Sequence, residues 1–468
     1  MFGIILPIAS SCWTGPPTNG NNPCYSEHPG FPNGHRYAAM VTKAVAGTYN
    51  IFILLSYDWG QTWEEEQITF KTGGSATGYQ YVGSICADLE GTGLHATWYG
   101  LGYHSHPHKK YYPSEEYVYS ILYKYRDASG VWSPALCTPY EHDATLSVVE
   151  YGGDHVYAIG YPAFRYMDNY HPSMDIDPSC GDVHLVYSHW SGFNSAFRNA
   201  WYSTYYRKLE VSTGAWGELA IFRYVYSSGA APTMYRPNLQ VDTYGNPQIT
   251  STIRRPVSGW GPDSNTTCWF MNPNKGDYLS WPGTHATWDL HTLIGSFPVA
   301  SPYAKLLFET PVSSGTPSYY SRMALSNFYT EGTFDYPHCI YEAHHSGYDY
   351  GVFHKYMDAL GWHTDKVNGM WYCPYPSIAI GPDGMIYTLS MQSGTGLLRY
   401  SKKAIITDPW SDTETITGIS SARQIHQRLP VPYPRDGQDC SPFMGMVGST
   451  AKLFRCGYPA TSGYGFFM

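Results

Sequence analysis

The feature that most limits what this sequence can fold into is a short sequence motif that recurs along it. Each copy is an apolar strand, a turn that contains Gly and often Asp, and a second apolar strand. Strand pairs repeated in this way predict an array of similar antiparallel sheets. The five copies are 84–88 with 93–98, 173–177 with 181–187, 238–242 with 248–251, 323–326 with 338–341, and 377–380 with 383–389.

Most copies are followed by a Tyr-rich third strand and then by a turn that carries Trp. Three of these turns lead into Trp132, Trp216 and Trp362. Each unit is therefore predicted to be a sheet of three or four antiparallel strands. Further strands are predicted on either side of the five copies, at 37–42 and 49–55 near the start and at 441–447 and 451–455 near the end.

Small repeated sheets of this size are typical of a β-propeller. Aromatic residues make up 17% of the chain, and its 47 Gly and 34 Pro favour turns and strands over helices. We therefore predict an all-β fold, a single β-propeller domain over residues 1–468, with seven blades favoured and six left open. The N-terminal strand and loop in 1–35 are predicted to contribute to ring closure, with 2–7 pairing with the C-terminal strands.

Charge and hydropathy exclude several classes of partner. The 28 basic and 37 acidic residues give a net charge of −9, so nucleic acid is not an expected partner. No apolar run approaches about 20 residues, so membrane insertion is not expected. The ten cysteines are scattered without a Cys-x-x-Cys pair. The His-rich stretch around His106 is interpreted as an exposed loop, and neither a metal nor a cofactor is predicted.

One segment resembles a known motif at every defined position. Residues 56–63 read Ser-Tyr-Asp-Trp-Gly-Gln-Thr-Trp, which matches the Asp-box pattern Ser-x-Asp-x-Gly-x-Thr-Trp of the sialidase-like, BNR-repeat β-propellers. The resemblance implies a structural turn in which the Asp accepts backbone N–H groups and the Gly permits a positive φ. The motif residues are Ser56, Asp58, Gly60, Thr62 and Trp63, and no role in a reaction is assigned to them.

A looser similarity is to the BNR-type propellers that include polysaccharide lyases acting on uronic-acid glycans. Residues 168–173 read Asp-Asn-Tyr-His-Pro-Ser and lead into Gly-Asp-Val-His at 181–184, which resembles the Asp/His/Asn/Pro cluster of that group. Sialidases share a Phe-Arg-Ile-Pro type motif, and the string around Arg236 lacks it. If the protein is an enzyme, the resemblance therefore implies a polysaccharide lyase rather than a sialidase.

In a propeller, the segments that lead into the inner strands lie beside the central axis at one face. Residues just before these strands should converge although they are distant in sequence. They are rich in Tyr, His and Arg, which suits a sugar because aromatic faces cover its C–H side while Arg and His pair with hydroxyls or a carboxylate. The predicted ligand-binding residues are His35, Arg36, Tyr81, Tyr170, Arg322, Tyr375 and Asp439.

Cleavage of a uronic-acid glycan by β-elimination needs a base, an acid for the leaving oxygen and a cation that stabilises the enolate-like intermediate. By residue type, His171, Tyr235 and Arg236 fit these three roles in that order. Hydrolysis needs two facing carboxylates, and only Asp436 and Asp439 form such a pair at a predicted strand start. Elimination is therefore the favoured reaction.

Two functions stay open from the sequence. The first is a non-enzymatic, glycan-recognising propeller, a structural or receptor-binding component of a phage or virus particle or another extracellular assembly, with other virion proteins as partners. It is favoured by a Tyr-rich, charge-poor composition and by a start at 2–9 without the features of a secretory signal peptide. The alternative is the polysaccharide lyase. Carbohydrate is the expected partner in both, and whether the protein is an enzyme stays open.

Overall fold

The structure is a computed structural model of the 468-residue chain. All regular secondary structure that it describes is β-strand, so it contains no described helix that could cross a membrane. The described residues are 3–9, 12–13, 25–27, 37–45, 48–56, 64–70, 80–90, 92–103, 117–133, 136–137, 164–193, 201–217, 220–223, 234–255, 264–271, 287–289, 304–309, 321–330, 334–343, 351–371, 373, 376–380, 384–392, 395, 397–403, 408–416, 425–426, 440–447 and 450–457.

The strands are short and follow one another along the whole chain. Those of the first half are β1 (Gly3–Ala9), β2 (Cys12–Trp13), β3 (Tyr25–Glu27), β4 (Tyr37–Val45), β5 (Thr48–Ser56), β6 (Glu64–Gln67), β7 (Gln80–Ala87), β8 (Leu94–Tyr103), β9 (Tyr117–Arg126), β10 (Leu136–Cys137), β11 (Phe164–Ile176), β12 (Val183–Phe193), β13 (Trp201–Glu210), β14 (Ala215–Trp216) and β15 (Ala220–Arg223). Those of the second half are β16 (Met234–Val241), β17 (Pro247–Arg255), β18 (Ser264–Met271), β19 (Thr287–Asp289), β20 (Ala304–Glu309), β21 (Ser321–Thr330), β22 (Asp335–Ala343), β23 (Gly351–Asp358), β24 (Gly361–Lys366), β25 (Ser377–Ile380), β26 (Ile386–Met391), β27 (Leu398–Lys403), β28 (Glu414–Ile416), β29 (Ile425–His426), β30 (Cys440–Val447) and β31 (Thr450–Gly457).

The described strands form seven sheets, in which strands that follow each other in sequence lie side by side and pair antiparallel. A single parallel pair among them joins β15 to β19. We number the sheets along the chain. Sheet 1 is β2–β6, sheet 2 is β7–β10, sheet 3 is β11–β15 with β19, sheet 4 is β16–β18 with β20, sheet 5 is β21–β24, sheet 6 is β25–β28, and sheet 7 is β29–β31 with β1.

The N-terminal and C-terminal strands share sheet 7. β1 pairs antiparallel with β31, with Leu6 opposite Leu453 and Pro7 opposite Lys452. Pro7 lacks an N–H, so it suits an outermost strand, where one edge of the backbone has no partner strand.

The strands that begin the repeats in sheets 1 to 6 pack against each other in order. β4 contacts β7, β7 contacts β11, β11 contacts β16, β16 contacts β21, and β21 contacts β25. This is the contact pattern that sheets arranged around a common axis produce. The strands that start each repeat therefore lie together, and any residues placed at their N-terminal ends are brought close.

Sheet 5 is buried on both faces by its neighbours. β22 is buried along its whole length. Cys339 packs with Trp269 of sheet 4, whereas the next residue, Ile340, packs with Ile378 of sheet 6. Because successive side chains point to opposite faces of a strand, a strand between two sheets must be apolar on both sides. This explains the unbroken apolar runs in the recurring sequence motif.

The recurring Trp residues fill the outer part of the space between sheets. The ring of Trp216 in sheet 3 lies 5.6 Å from Tyr123 of sheet 2, edge to face. The ring of Trp362 in sheet 5 lies 5.3 Å from Trp269 of sheet 4. A Trp at this place buries a large apolar area against the preceding sheet, which is a reason for its recurrence.

Hydrogen bonds from side chains also join the first strands of neighbouring sheets. They come from residues at the same place in sheets 2, 3 and 4. The bonds are Ser84 Oγ to the Met174 carbonyl at 3.2 Å, the Leu239 N–H to Ser173 Oγ at 3.1 Å, and the Met323 N–H to Asn238 Oδ1 at 3.1 Å. These bonds fix how far the first strand of each sheet is shifted along the first strand of the next sheet.

Candidate functional site

The predicted site residues differ in how the structure describes them. His171, Arg236 and Arg322 are described with their side chains and lie in the first strands of sheets 3, 4 and 5. Tyr81, Tyr170 and Tyr235 lie in β7, β11 and β16, and Ser56 ends β5. Outside the described residues are His35, Arg36, Tyr375 and Asp439, and the Asp-box residues Asp58, Gly60, Thr62 and Trp63.

His171 and Arg236 occupy the same place in neighbouring sheets. In both β11 and β16 the pairing with the next strand shifts register just after the Tyr of a Tyr-x-Pro sequence. The middle residue of that sequence is His171 in β11 and Arg236 in β16. A shift of this kind is a β-bulge, which bends the strand and re-aims a side chain. The two bulges therefore turn these two side chains out of the regular alternation of the sheet.

The backbone is left-handed at both bulges. Among the described residues, His171 and Arg236 alone have a positive φ without being glycine, at 54° and 55°. Such a conformation costs of order 1–3 kcal/mol and persists only where the surroundings hold it. The proline that follows each residue disfavours the right-handed helical alternative. Strained residues of this kind concentrate at functional sites, which makes this part of the molecule the candidate site.

The bulge that contains His171 is seated against sheet 2. A Cβ on Gly83 would lie 2.6 Å from Cγ of Pro172 and 2.4 Å from the carbonyl oxygen of Thr97, so the close approach requires glycine. The His171 ring meets the edge of the Tyr99 ring at a centroid distance of 5.9 Å. Tyr99 is fully buried. Sheet 2 thus contacts the bulge at two residues, Pro172 and the imidazole of His171.

The electrostatic environment of His171 is positive. Its burial, and after that the positive charges of Arg236 and Arg322, hold the pKa of His171 well below its ordinary value of 6.5. The imidazole is therefore neutral at neutral pH and able to accept a proton. The charges of residues in the first strands of sheets 4 and 5 thus act on an imidazole in the first strand of sheet 3.

Two further residues of the site, Tyr99 and Ser188, were missed by the sequence reasoning. Both lie on the second strand of a sheet, four residues after a buried His, and both contact the bulge of the following sheet. Tyr99 touches the His171 ring, and Ser188 Oγ accepts the backbone N–H of Arg236 at 2.8 Å. The spacing from the buried His to this position is the signal that could have found them.

The same spacing leads to a buried carboxylate in sheet 5. Glu342 follows the buried His338 by four residues and is itself buried. The pKa of the Cys373 thiol rises to about 12, first because of burial and then because of the negative charge of Glu342. The charge of Glu342 therefore acts on Cys373, four residues before β25 of sheet 6.

The buried histidines of the second strands are structural. His95 Nδ1 and the hydroxyl of Tyr123 are 2.7 Å apart, and His184 Nδ1 is 2.7 Å from the hydroxyl of Tyr206. These pairs lie inside the sheets rather than at the site. In the part of the chain that the structure describes, no group of three or more His, Cys, Asp or Glu residues could hold a metal ion.

A pair of buried carboxylates lies away from the bulges. Burial raises the pKa of Asp242 to about 6 and also raises the pKa of Asp335. Asp242 accepts hydrogen bonds from Asn246, and Asp335 accepts them from Thr243. Asp242 follows β16 at the end remote from Arg236, about 20 Å along the strand. These carboxylates hold the turn between two sheets, so they do not form a hydrolytic pair with the site.

No protein-family model matches the chain, and no curated protein sequence does so. Solved structures are similar to it in fold. The polysaccharide lyase Uly1 has a TM-score of 0.55 and 11% identity, covering 95% of this chain and 91% of the lyase. A PL25 ulvan lyase bound to -[GlcA(1-4)Rha3S]- has a TM-score of 0.52 and 14% identity, covering 96% of this chain and 95% of the lyase. At this identity the likeness shows the fold alone. The chain has the all-β propeller fold of these lyases.

Proposed function

We propose that this protein is a carbohydrate-active β-propeller that binds an acidic glycan and cleaves it by β-elimination. The observation that carries the proposal is the pair of left-handed bulges that place His171 and Arg236 at the same position in neighbouring sheets, where the charges of Arg236 and Arg322 keep the imidazole neutral. Two permanent positive charges beside an uncharged imidazole suit a substrate in which a carboxylate sits next to an acidic C–H bond.

The proposal includes the finer features of the fold. They are seven blades, a ring closed by β1 against β31, one domain over residues 1–468, and an Asp-box turn at 56–63. The seven described sheets and the pairing of Leu6 with Leu453 support the first two features. The Asp-box turn rests on its match to the motif in sequence.

Arg236 and Arg322 are the groups that bind the carboxylate. A guanidinium stays charged at all relevant pH values and presents its donors in a planar fork that matches a carboxylate. Tyr81, Tyr170 and Tyr375 would cover the C–H faces of the sugar rings. A uronic-acid glycan offers both kinds of surface, so it is the substrate class that fits these residues.

In the reaction, the imidazole of His171 removes the proton from the carbon next to the carboxylate. The electron pair of that C–H bond forms a carbon–carbon double bond as the bond to the leaving glycosidic oxygen breaks. Tyr235, adjacent to Arg236 in β16, donates a proton to that oxygen. Arg236 stabilises the charge that builds on the carboxylate. The products are two shorter chains, one of which ends in an unsaturated sugar.

Substrate binding makes His171 a stronger base in this reaction. In the free protein the two arginines lower the pKa of His171. A bound carboxylate offsets their positive charge, which raises the pKa of His171 toward its ordinary value in the complex. Because general-base catalysis is most efficient when the pKa of the base lies near the working pH, binding prepares the imidazole for proton transfer.

The similar structures support the substrate class. Both lyases reported above have TM-scores above 0.5, and the glycan bound to the second contains GlcA, a uronic acid. A shared fold does not carry a function by itself, so this support is by analogy and the site residues carry the chemical argument.

The test is incubation with uronic-acid polysaccharides, the GlcA–Rha3S glycan among them, while the ultraviolet absorbance of the unsaturated product is followed. We expect a rise with the wild-type protein and none with His171→Ala. His363→Ala, which removes a partly exposed His that pairs with Asp358 in sheet 5, should keep full activity. An active His171→Ala would remove His171 as the base, and binding without cleavage would reduce the function to glycan recognition.

A role as a structural or receptor-binding component of a virus particle, or of another extracellular assembly, stays a prediction from the composition. It requires glycan binding but no reaction. Detection of the protein in purified particles, together with binding and no cleavage in the assay above, would favour it over the lyase.

A further inference from the structure

The backbone N–H of Arg236 needs a special partner because of the bulge. The residues on either side of the bulge, Tyr235 and Asn238, pair with β17, and Arg236 lies between them within the register shift. A buried N–H that leaves its ladder must find another acceptor. Ser188 supplies it, since its Oγ accepts the Arg236 N–H at 2.8 Å.

Ser188 is also tied to the other bulge. It lies in β12, fully buried, directly opposite Tyr170 of β11. Tyr170 is the residue before His171. One residue of sheet 3 is thus joined through its backbone register to the bulge of His171 and through its side chain to the bulge of Arg236. A shift of either bulge would therefore disturb a contact of Ser188.

We propose that Ser188 is a positioning residue that holds Arg236 in its left-handed conformation and so fixes the position of its side chain relative to His171. The inference rests on the proposed function and adds to it a residue that does not touch the substrate. Its role is to keep the imidazole of His171 in sheet 3 and the guanidinium of Arg236 in sheet 4 correctly placed relative to each other. A misplacement of a catalytic group by about 1 Å can lower the rate about 100-fold.

The substitution that tests this role is Ser188→Ala, assayed on the uronic-acid polysaccharide that the wild-type protein cleaves. We expect kcat/KM to fall about 10- to 100-fold. The acidic side of the pH profile of kcat/KM should also move to higher pH, because the charge of Arg236 acts less strongly on His171 once the backbone of Arg236 has shifted. Ser188→Thr keeps the hydroxyl and should restore most of kcat/KM and the original pH profile. If Ser188 had only a structural role, the acidic side of the pH profile would stay at its wild-type position.

The matched control is Ser401→Ala. Ser401 is also fully buried, and its Oγ donates to the carbonyl of Ser411 at 2.8 Å in sheet 6, away from both bulges. It should keep the wild-type kcat/KM and pH profile. Should Ser188→Ala not fold, Ser188→Cys preserves the volume with a weaker acceptor and should show a smaller loss of the same kind.

The outcomes separate this proposal from the proposed function. A Ser188→Ala variant with wild-type kcat/KM and acid limb, beside an inactive His171→Ala, overturns the positioning role alone. A wild-type protein that cleaves no uronic-acid polysaccharide overturns the proposed function. The crystal structure of Ser188→Ala then decides the positioning role without any activity. Departure of Arg236 from positive φ supports it, and an unchanged φ overturns it.

Discussion

At the scale of single residues, the charges around His171 decide when its imidazole can accept a proton. Burial and the two arginines favour the neutral form, so the pKa of His171 lies well below 6.5. Removing one positive charge stabilises the imidazolium, and the pKa must then rise toward its ordinary value. The contribution of each arginine can therefore be read from the pH at which activity is lost on acidification.

The substitution Arg322→Gln tests this charge effect. We expect the acid limb of kcat/KM to move to higher pH, together with a higher KM because one carboxylate donor is lost. Lys208→Gln is the control, since it removes a positive charge from the partly exposed ion pair with Asp182 in sheet 3. It should leave the limb unchanged. An Arg322→Gln variant with the wild-type limb would show that Arg322 does not act on His171.

At the scale of elements, the bulges in β11 and β16 depend on how closely the first strands of neighbouring sheets approach. Gly83 in β7 allows Pro172 of β11 to come within contact, and Pro172 follows His171 directly. A methyl group at Gly83 would meet both Pro172 and the backbone of Thr97. Because the Thr97 carbonyl belongs to the backbone of the paired strand β8 and cannot move aside cheaply, β7 must shift, and its contact with Pro172 of β11 shifts with it.

We expect Gly83→Ala to lower the free energy of unfolding by about 1–3 kcal/mol, and to lower activity as well because the bulge of His171 moves. Urea denaturation measures the first effect. Gly217→Ala serves as the control, since the nearest atom to a Cβ there is the Lys208 carbonyl oxygen at an ordinary 3.4 Å. Equal stability losses for the two variants would contradict the close packing described at Gly83.

The elements themselves were largely predictable, whereas the bulges were not. The prediction of strands at 84–88 and 93–98 corresponds to β7 and β8, and the Trp at 216 and 362 do follow the third strands. These signals come from local apolar patterns and turn residues, which a sequence displays directly. The left-handed φ of His171 and Arg236 depends on contacts with Gly83 and Ser188 of the preceding sheets, which no local pattern contains.

At the scale of the whole molecule, buried histidines couple stability to pH. Burial lowers the pKa of His95 to about 4 and the pKa of His184 and His338 to about 3. In the unfolded chain these residues bind protons near pH 6.5, so acidification below that value favours unfolding until the folded-state pKa is reached. Asp242, with a raised pKa of about 6, acts in the opposite direction, as does Asp335.

The histidines outnumber these two carboxylates, so we expect the free energy of unfolding to fall between about pH 7 and pH 5, by about 2 kcal/mol for each buried His. His184→Gln should reduce this fall by a similar amount. Gln is the natural choice, since Gln248 occupies the same place in sheet 4 and accepts a hydrogen bond from Trp269. Urea denaturation at the two pH values measures it, and stability that is constant or rises on acidification would contradict it.

The fold as a whole could be anticipated from the repeat, and the site in part. The recurring sequence motif predicted small antiparallel sheets, and the structure has the all-β propeller fold. Of the predicted site residues, His171, Arg236 and Arg322 lie in β11, β16 and β21, of which β11 packs against β16 and β16 against β21. Glu342 and Ser188 were not predicted, because they lie on second strands, where an apolar pattern signals only the core.

In the proposed function, sheets 3, 4 and 5 together form one carboxylate-binding site around the imidazole of His171. A crystal structure of His171→Ala with a bound uronic-acid oligosaccharide tests it most directly. We expect the carboxylate to lie at about 2.7–2.9 Å from the guanidinium nitrogens of both Arg236 and Arg322, with the adjacent C–H bond directed at the space that the imidazole vacates. An oligosaccharide bound elsewhere, or a carboxylate that contacts neither arginine, would contradict the account.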